Sequence, residues 1–400
     1  MSRRALHVLP PFRAEHVGSF IRPAALYEKR LLFESEQCSR EDLKELEDEA
    51  IKDVVKMQQA AGIKTITDGE LRRAIFWEGV FNNLEGMKAL KRPIKAFKKY
   101  VPHVATQYAA GVIEAPTFFC DGKIKRTKPF YVEEFKYLKN LVAPEDVKNI
   151  KITMCAPSWI HLRHGSLETY DLSVYKNDDE YFEDLGVAYR AEINELYENG
   201  CRHIQIDNPI FCYFCSESMI SGMEAEGIDH EALLDTYIRS MNLCTQGRPD
   251  DLTFGVHMCR GNYRGKHFSE GSYQRIAVKL FNDLDVDAFY LEYDNERAGD
   301  FAPLAHLPRN KTAVLGLVTT KKPELETVEE LEARINEAVD AICKGDPERT
   351  REQALNQLCI SPQCGFASAW QGNPVTEDDQ RKKLELLVAT ARRVWGDSNV

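Results

Sequence analysis

Eight short apolar runs, each ending abruptly in polar or special residues, constrain this chain more than any other feature. They are HVGSF (16–20), TITDGE (65–70), KITMCAPS (151–158), HIQIDNP (203–209), TFGVHMC (253–259), AFYLEYD (288–294), AVLGLVTT (313–320) and LCISPQC (358–364). Continuous rather than alternating apolar runs belong to strands buried on both faces, as in a parallel sheet. Helical stretches lie between them. Ser39 to Ala61 opens with a capping-box spacing, Ser39 and Asp42. Glu180 to Asn199, Glu270 to Leu280, Thr327 to Ala341 and Asp378 to Val394 carry apolar residues at helical spacing. Eight strands with intervening helices and no linker predict a single (β/α)₈ barrel spanning residues 1–400. Residues 86–140 break the rhythm. A lysine-rich, helix-like run is followed by two β-rich stretches around Asp121-Gly122, which reads as a hairpin turn. This segment is expected to be an excursion from the barrel.

The charge balance narrows the partners. Lys plus Arg number 52 against 63 Asp plus Glu, a net charge of −11. A nucleic-acid binder needs the opposite balance, and the one basic run, Lys88 to Lys99, is local. No apolar stretch reaches the roughly 18 residues of a membrane span. The start, MSRRALHVLPPF, lacks the apolar core of a secretory signal. The 11 Cys are spread along a large chain, unlike the dense frameworks of small secreted domains. Reduced thiols and a cytoplasmic location are expected.

Chemistry concentrates at the strand ends. His257 and Cys259 stand two apart in VHMC, so on one strand they face the same side. Glu292 ends the run AFYL, and Cys364 precedes Gly365 at the last strand end. Barrel active sites are built at the C-terminal ends of strands. One imidazole, two thiolates and a carboxylate suit zinc. Three negative ligands make a weak Lewis acid that still deprotonates a bound thiol and leaves its sulfur nucleophilic. Alkyl transfer to sulfur is the expected chemistry. Glu70 and Asp207, also at strand ends, can neutralise a substrate ammonium; taken singly, Glu70 equally suits a pair with Arg72 or Arg73, and Asp207 a turn cap. Cys212 and Cys215 form a C-x-x-C without a second pair, which suits packing or a loop role better than metal. His161 and His164 are three apart with no carboxylate in the same turn. Arg260 and Arg264 follow the His-x-Cys motif, where they meet either a substrate anion or a salt bridge; Trp77, Trp159 and Trp370 lie near strand-end loops.

These motifs carry a resemblance. HVGSF, TDGE (67–70), QIDNP (205–209), VHMCRGN (256–262), LEYD (291–294) and SPQCGF (361–366) follow one another as in the cobalamin-independent methionine synthases. The chain resembles the C-terminal catalytic half of that family, and more closely its short single-domain relatives. The resemblance implies a (β/α)₈ barrel and a zinc site at His257, Cys259, Glu292 and Cys364. It implies a homocysteine site using Gly18, Ser19, Glu70 and Asp207. Three departures stand out. There is no room for the second, amino-terminal barrel that helps hold a folate polyglutamate tail. Asn208 replaces the family's Glu after Asp207. Lys321 takes the place of a His thought to relay a proton to the folate leaving group, and is the candidate proton donor here. A free Lys near pKa 10.4 is a different acid from a His near 6.5.

The leading expectation is zinc-dependent methyl transfer to a small thiol, homocysteine, from a donor the sequence does not name. Alkyl transfer to another thiol, such as coenzyme M, is the alternative within the same chemistry. A non-catalytic zinc-stabilised barrel binding a metabolite is the alternative outside it. Neither nucleic acid nor membrane is an expected partner.

Overall fold

Burial on both faces decides the architecture. The computed structural model describes residues 10–396. An antiparallel pair, β1 (Leu84–Pro93) and β2 (Glu114–Arg126), precedes a six-stranded parallel sheet. The sheet runs in the order β3 (Lys151–Cys155), β4 (His203–Asp207), β5 (Thr253–Met258), β6 (Ala288–Glu292), β7 (Thr312–Val318) and β8 (Leu358–Pro362). Every residue of these six strands is buried, which is why their sequences run apolar without alternation.

The first two apolar runs close the ring with little regular pairing. Ala14 bridges Ile360 of β8, and Ile66 bridges Ile150 beside β3, both in parallel. Between these two segments Phe20 N donates to the Gly69 carbonyl at 3.0 Å. The Thr67 hydroxyl donates to the Gly18 carbonyl at 2.7 Å, and the His16 ring meets the Thr65 carbonyl at 3.0 Å. A buried ion pair joins the same seam to β3, with Lys151 Nζ 3.2 Å from Glu15 Oε2. The Thr65 hydroxyl takes the other Glu15 oxygen at 2.6 Å. Side chains thus satisfy groups that a longer backbone ladder would have paired. The result is a (β/α)₈ barrel, as the strand count predicts.

Helices wrap the outside. Arg40–Ala60 starts at the reciprocal Ser39–Asp42 capping box. Val328–Cys343 and Glu377–Trp395 start at similar boxes, Thr327–Glu330 and Thr376–Asp379. Asp178–Glu198 is capped by Asn177. His230–Thr245, which the sequence reading leaves unassigned, is capped by Asp229. The expected helix Glu270 to Leu280 is instead a short turn, Tyr273–Arg275, followed by Ala277–Asp283. Gly271 packs so closely on the Cys215 carbonyl that a Cβ there would lie 2.1 Å from it, a contact that continuing the helix would not keep.

The excursion also differs from expectation. The lysine-rich run is not a helix: its first part is strand β1, which pairs along β2, and the rest is a short turn, Ile94–Ala96, and a loop. Asp121-Gly122 lies inside β2 and is not the hairpin turn. The connection is longer, and contains the helix Pro102–Ala109. The register shifts at Gly86, where φ is +85° and a Cβ would lie 2.6 Å from the Gly122 carbonyl. Two glycines facing across a bulge let the backbones approach.

Register places the chemistry. Asp207 pairs with His257 across β4 and β5, and Glu292 with Gly316 across β6 and β7. The strand ends therefore present their last residues to one open end of the barrel.

Candidate active site

The centre of that end is a cluster of three buried donors. Ligand atoms of His257, Cys259 and Cys364 all lie within 4.8 Å of one another. Neither ring nitrogen of His257 has a hydrogen-bond partner, although the residue is only 3% exposed. Leaving a buried polar atom unpaired costs about 1–3 kcal/mol, and the group the ring has beside it is the Cys364 sulfur. The two thiols compete for a proton. The neighbouring Cys259 thiol, with His257 and Lys321, holds the Cys364 thiol well below its ordinary range, and Cys364, with burial, holds the Cys259 thiol well above. A thiophilic dication taking the place of that proton would meet one nitrogen and two sulfurs, a donor set that fits zinc.

Glu292 stands beside this cluster without belonging to it. Its Oε2 accepts the Arg260 backbone N–H at 2.9 Å, and its Oε1 accepts from Arg297 at 3.1 Å. Burial pushes the carboxyl up, but Lys321, the Arg260 N–H and Arg297 outweigh it, and the pKa is lowered. Each oxygen retains a second lone pair. The carboxylate is thus ionised, anchored and close enough to act on Cys259 and His257 electrostatically. Lys321 Nζ reaches the Gly261 carbonyl at 3.4 Å. Its charge also lowers the Cys364 pKa. The ammonium therefore sits by the cluster, while the side chain is no part of the cavity wall.

A cavity of about 640 Å³ opens above the cluster. One end is acidic. Glu70 Oε1 accepts from the Thr153 hydroxyl at 2.8 Å and faces Arg73 at 3.7 Å, whereas Oε2 has no partner. Glu70 itself holds a left-handed backbone, φ +57°, a conformation non-glycine residues keep only where the surroundings enforce it. Gln205 donates to Asp207 Oδ1 at 2.8 Å. Burial, then the neighbouring charge of Glu70, pushes the Asp207 carboxyl up to about 7. Two buried carboxylates with a vacant acceptor make a seat for a cation. Ser19 lines the same end. Gly18 does not, but with φ +135° and a would-be Cβ 2.6 Å from Thr153 Cγ2, it lets the chain pass Thr153 and deliver Ser19.

The remaining sequence candidates divide cleanly. Arg72 pairs with Asp48 and Glu47, and it is Arg73 that pairs with Glu70, at 3.7 Å. His161 is held by the Tyr237 hydroxyl and Asp178, and His164 by Thr117. Neither His lines the cavity, nor do Cys212 and Cys215. Arg260 is fully buried over the Tyr273 ring at 4.6 Å, so a solvent-facing role is excluded. Trp77 and Trp159 form cavity wall, and Arg264 its exposed rim. Trp370 stacks on Tyr27 outside this cavity. The sequence reading misses His103, Gln107, Arg163, Tyr213 and Phe268, all on the wall. His103 and Gln107 come from the excursion, which no motif marks.

Comparison with known proteins bears on the family and the fold. The profile of the cobalamin-independent synthase catalytic domain matches residues 12–392. The uncharacterized protein YxjG of Bacillus subtilis is 34% identical over 388 residues, covering 96% of this chain and 95% of the relative. A methionine synthase of Saccharolobus solfataricus is 27% identical over 363 residues, covering 90% and 89%. A solved Listeria monocytogenes structure, assigned by resemblance to the vitamin-B12 independent methionine synthases, superposes with a TM-score of 0.73. It shares 30% identity, over 97% of this chain and 99% of that one. Among the described residues no helix is long and apolar enough to cross a membrane.

Proposed function

The chain belongs to the catalytic-domain family of the cobalamin-independent methionine synthases, and from that premise we propose that it methylates the sulfur of homocysteine at a zinc site. The ligands in this reading are His257, Cys259, Cys364 and Glu292. The observation that carries it is the shared cavity: a buried His/Cys/Cys cluster lies beside two buried carboxylates with an unfilled acceptor. An amino thiol is the small molecule that answers both ends at once.

A zinc ion held there would ionise the substrate thiol while the thiolate-rich donor set keeps its sulfur nucleophilic. The chain's own residues do the rest. Glu70 and Asp207 take the substrate ammonium, and Asp207 ionises as that cation arrives. Ser19 borders the same pocket, held in place by the Gly18 turn. Arg297 and the Arg260 N–H fix the Glu292 carboxylate for coordination. Aromatic walls exclude water that would otherwise compete for the methyl group. Lys321 offsets the negative charge of the centre from outside the cavity wall. This reading takes a donor whose leaving group departs neutral, so that no acid beside it is required. The cytoplasm, where thiols stay reduced, is the compartment that suits this chemistry.

The test is direct. Zinc-loaded enzyme is incubated with homocysteine or coenzyme M and one isotope-labelled methyl donor at a time, and products are read by mass spectrometry. Labelled methionine supports the reading. Methylation of coenzyme M in preference to homocysteine, or of neither thiol by any donor, contradicts it.

A further inference from the structure

The acidic end of the cavity has a counterpart. Arg163, on the short helix Trp159–His164, lines the cavity wall and is 3% exposed. Its NH2 group donates to the Pro116 carbonyl at 3.0 Å. Its Nε and NH1 have no partner. No carboxylate lies within ion-pair distance of it among the described residues, and burial pulls its pKa down to about 10. Other buried guanidinium groups here are treated differently. Arg22 donates to four carbonyls, and Arg30 pairs with Glu47 at 3.0 Å. Arg260 is also without hydrogen-bond partners, but it is not on the cavity wall.

Further donors converge beside Arg163. Trp159 Nε1 and both ring nitrogens of His103 are buried without partners, and both residues line the cavity. The His103 ring stacks on Trp159 at 4.9 Å. Burial and the charge of Arg163 hold His103 well below the usual histidine range, so it offers one N–H and no charge at neutral pH. The corner therefore presents one net positive charge, free N–H groups and aromatic faces. Guanidinium forks match carboxylates in geometry. The seat and the metal-type cluster line the same cavity, with Tyr213 also on its wall. Arg264 and Lys266 are also cationic, but they are exposed at the rim.

We propose that Arg163, with Trp159 and His103, is the seat for the carboxylate of a short methyl donor whose methyl group is carried on a sulfonium. This rests on the methyl-transfer reading above and names its second substrate class. The aromatic walls take the onium charge by cation–π attraction, and the carboxylate neutralises Arg163. In the transfer, a lone pair of the ionised thiol forms the new S–CH₃ bond. The donor's S–CH₃ bond breaks with its electron pair left on the donor sulfur, and the thioether departs with its sulfur neutral and its carboxylate still charged. No proton is needed by the leaving group, which agrees with Lys321 lying off the cavity wall.

The test uses zinc-loaded enzyme and four probes. Dimethylsulfoniopropionate carries the carboxylate, trimethylsulfonium lacks it, and 3-(methylthio)propionate is the inert product analogue. Methyltetrahydrofolate is the long anionic alternative. Titration calorimetry with 3-(methylthio)propionate reads the seat without chemistry. The expected result is binding that falls about ten- to a hundredfold in R163M and less in R163K, which keeps the charge but not the fork. Turnover with dimethylsulfoniopropionate should fall by a similar factor in kcat/KM, and turnover with trimethylsulfonium should be unchanged. Melting curves and zinc content establish that both variants are folded. Equal binding of the analogue by wild type and R163M overturns the seat. So does methyltetrahydrofolate turnover that depends on Arg264 and Lys266 but not on Arg163. Arg163-dependent binding without methylation from any donor would leave the seat standing and remove the methyl-transfer reading instead.

Discussion

Replacing Asp207 by Asn tests whether the acidic end is built for a ligand at the expense of stability. The carboxyl releases its proton near 3.8 in the unfolded chain and near 7 in the folded one. Between these values the folded state holds more protons, so stability falls as pH rises through the window, and the full penalty is present above it. At 1.36 kcal/mol per unit, the difference corresponds to about 4 kcal/mol, which water in the cavity reduces to about 2–4. Asn keeps the shape and can still accept from Gln205 through its amide oxygen. D207N without thiol should therefore be more stable than wild type at pH 8. The gain corresponds to roughly 3–6 °C in a chain of this length, and should shrink by more than half at pH 5. The same variant should bind homocysteine about 30-fold or more weakly, because the ammonium loses a desolvated charged partner. Circular-dichroism melts at the two pH values and calorimetry with homocysteine give the answer. D207N melting at or below the wild-type temperature at pH 8 would refute the reasoning, as would unchanged homocysteine affinity.

Three further outcomes are expected. C364S should lose most of its zinc by elemental analysis yet keep the wild-type far-ultraviolet spectrum, because the core does not depend on the ion. K321M should retain zinc and lose less than about tenfold in turnover; a loss above a hundredfold with a solvent isotope effect would restore Lys321 as proton donor. K151M should lose about 3–5 kcal/mol in denaturant unfolding, since it strands the buried Glu15 carboxylate at the barrel seam. An unchanged midpoint would show that Lys151 and Glu15 do not hold the seam.

What was legible in the sequence follows physical periodicity. Strands buried on both faces leave unmistakable apolar runs, so β3 to β8 and their polar ends could be read directly. His257 and Cys259 could be brought together because residues two apart on an extended chain face one side, although β5 ends at Met258, one residue short of Cys259. The excursion was not legible. Its lysine-rich run contains good helix formers, but pairing with β2 and the glycine bulge at Gly86 impose a strand, a tertiary constraint no local propensity records. His103 and Gln107 reach the cavity only because that excursion folds over it, and Arg163 because its short helix points inward. Glu292 illustrates a finer limit. Its strand-end position was evident, but the hold on its carboxylate by Arg297, in the loop just after the strand, and by the Arg260 N–H, from the neighbouring strand end, is marked by no motif.

The central claim is that a thiol substrate meets a zinc ion held by His257, Cys259, Cys364 and Glu292. X-ray absorption at the zinc edge of purified protein, with and without homocysteine, tests it most directly. The account predicts about one zinc per chain with two sulfur neighbours at about 2.3 Å and nitrogen and oxygen at about 2.0–2.2 Å, and a third sulfur when homocysteine is added. Absence of zinc, or a sulfur count that homocysteine leaves unchanged, would contradict it.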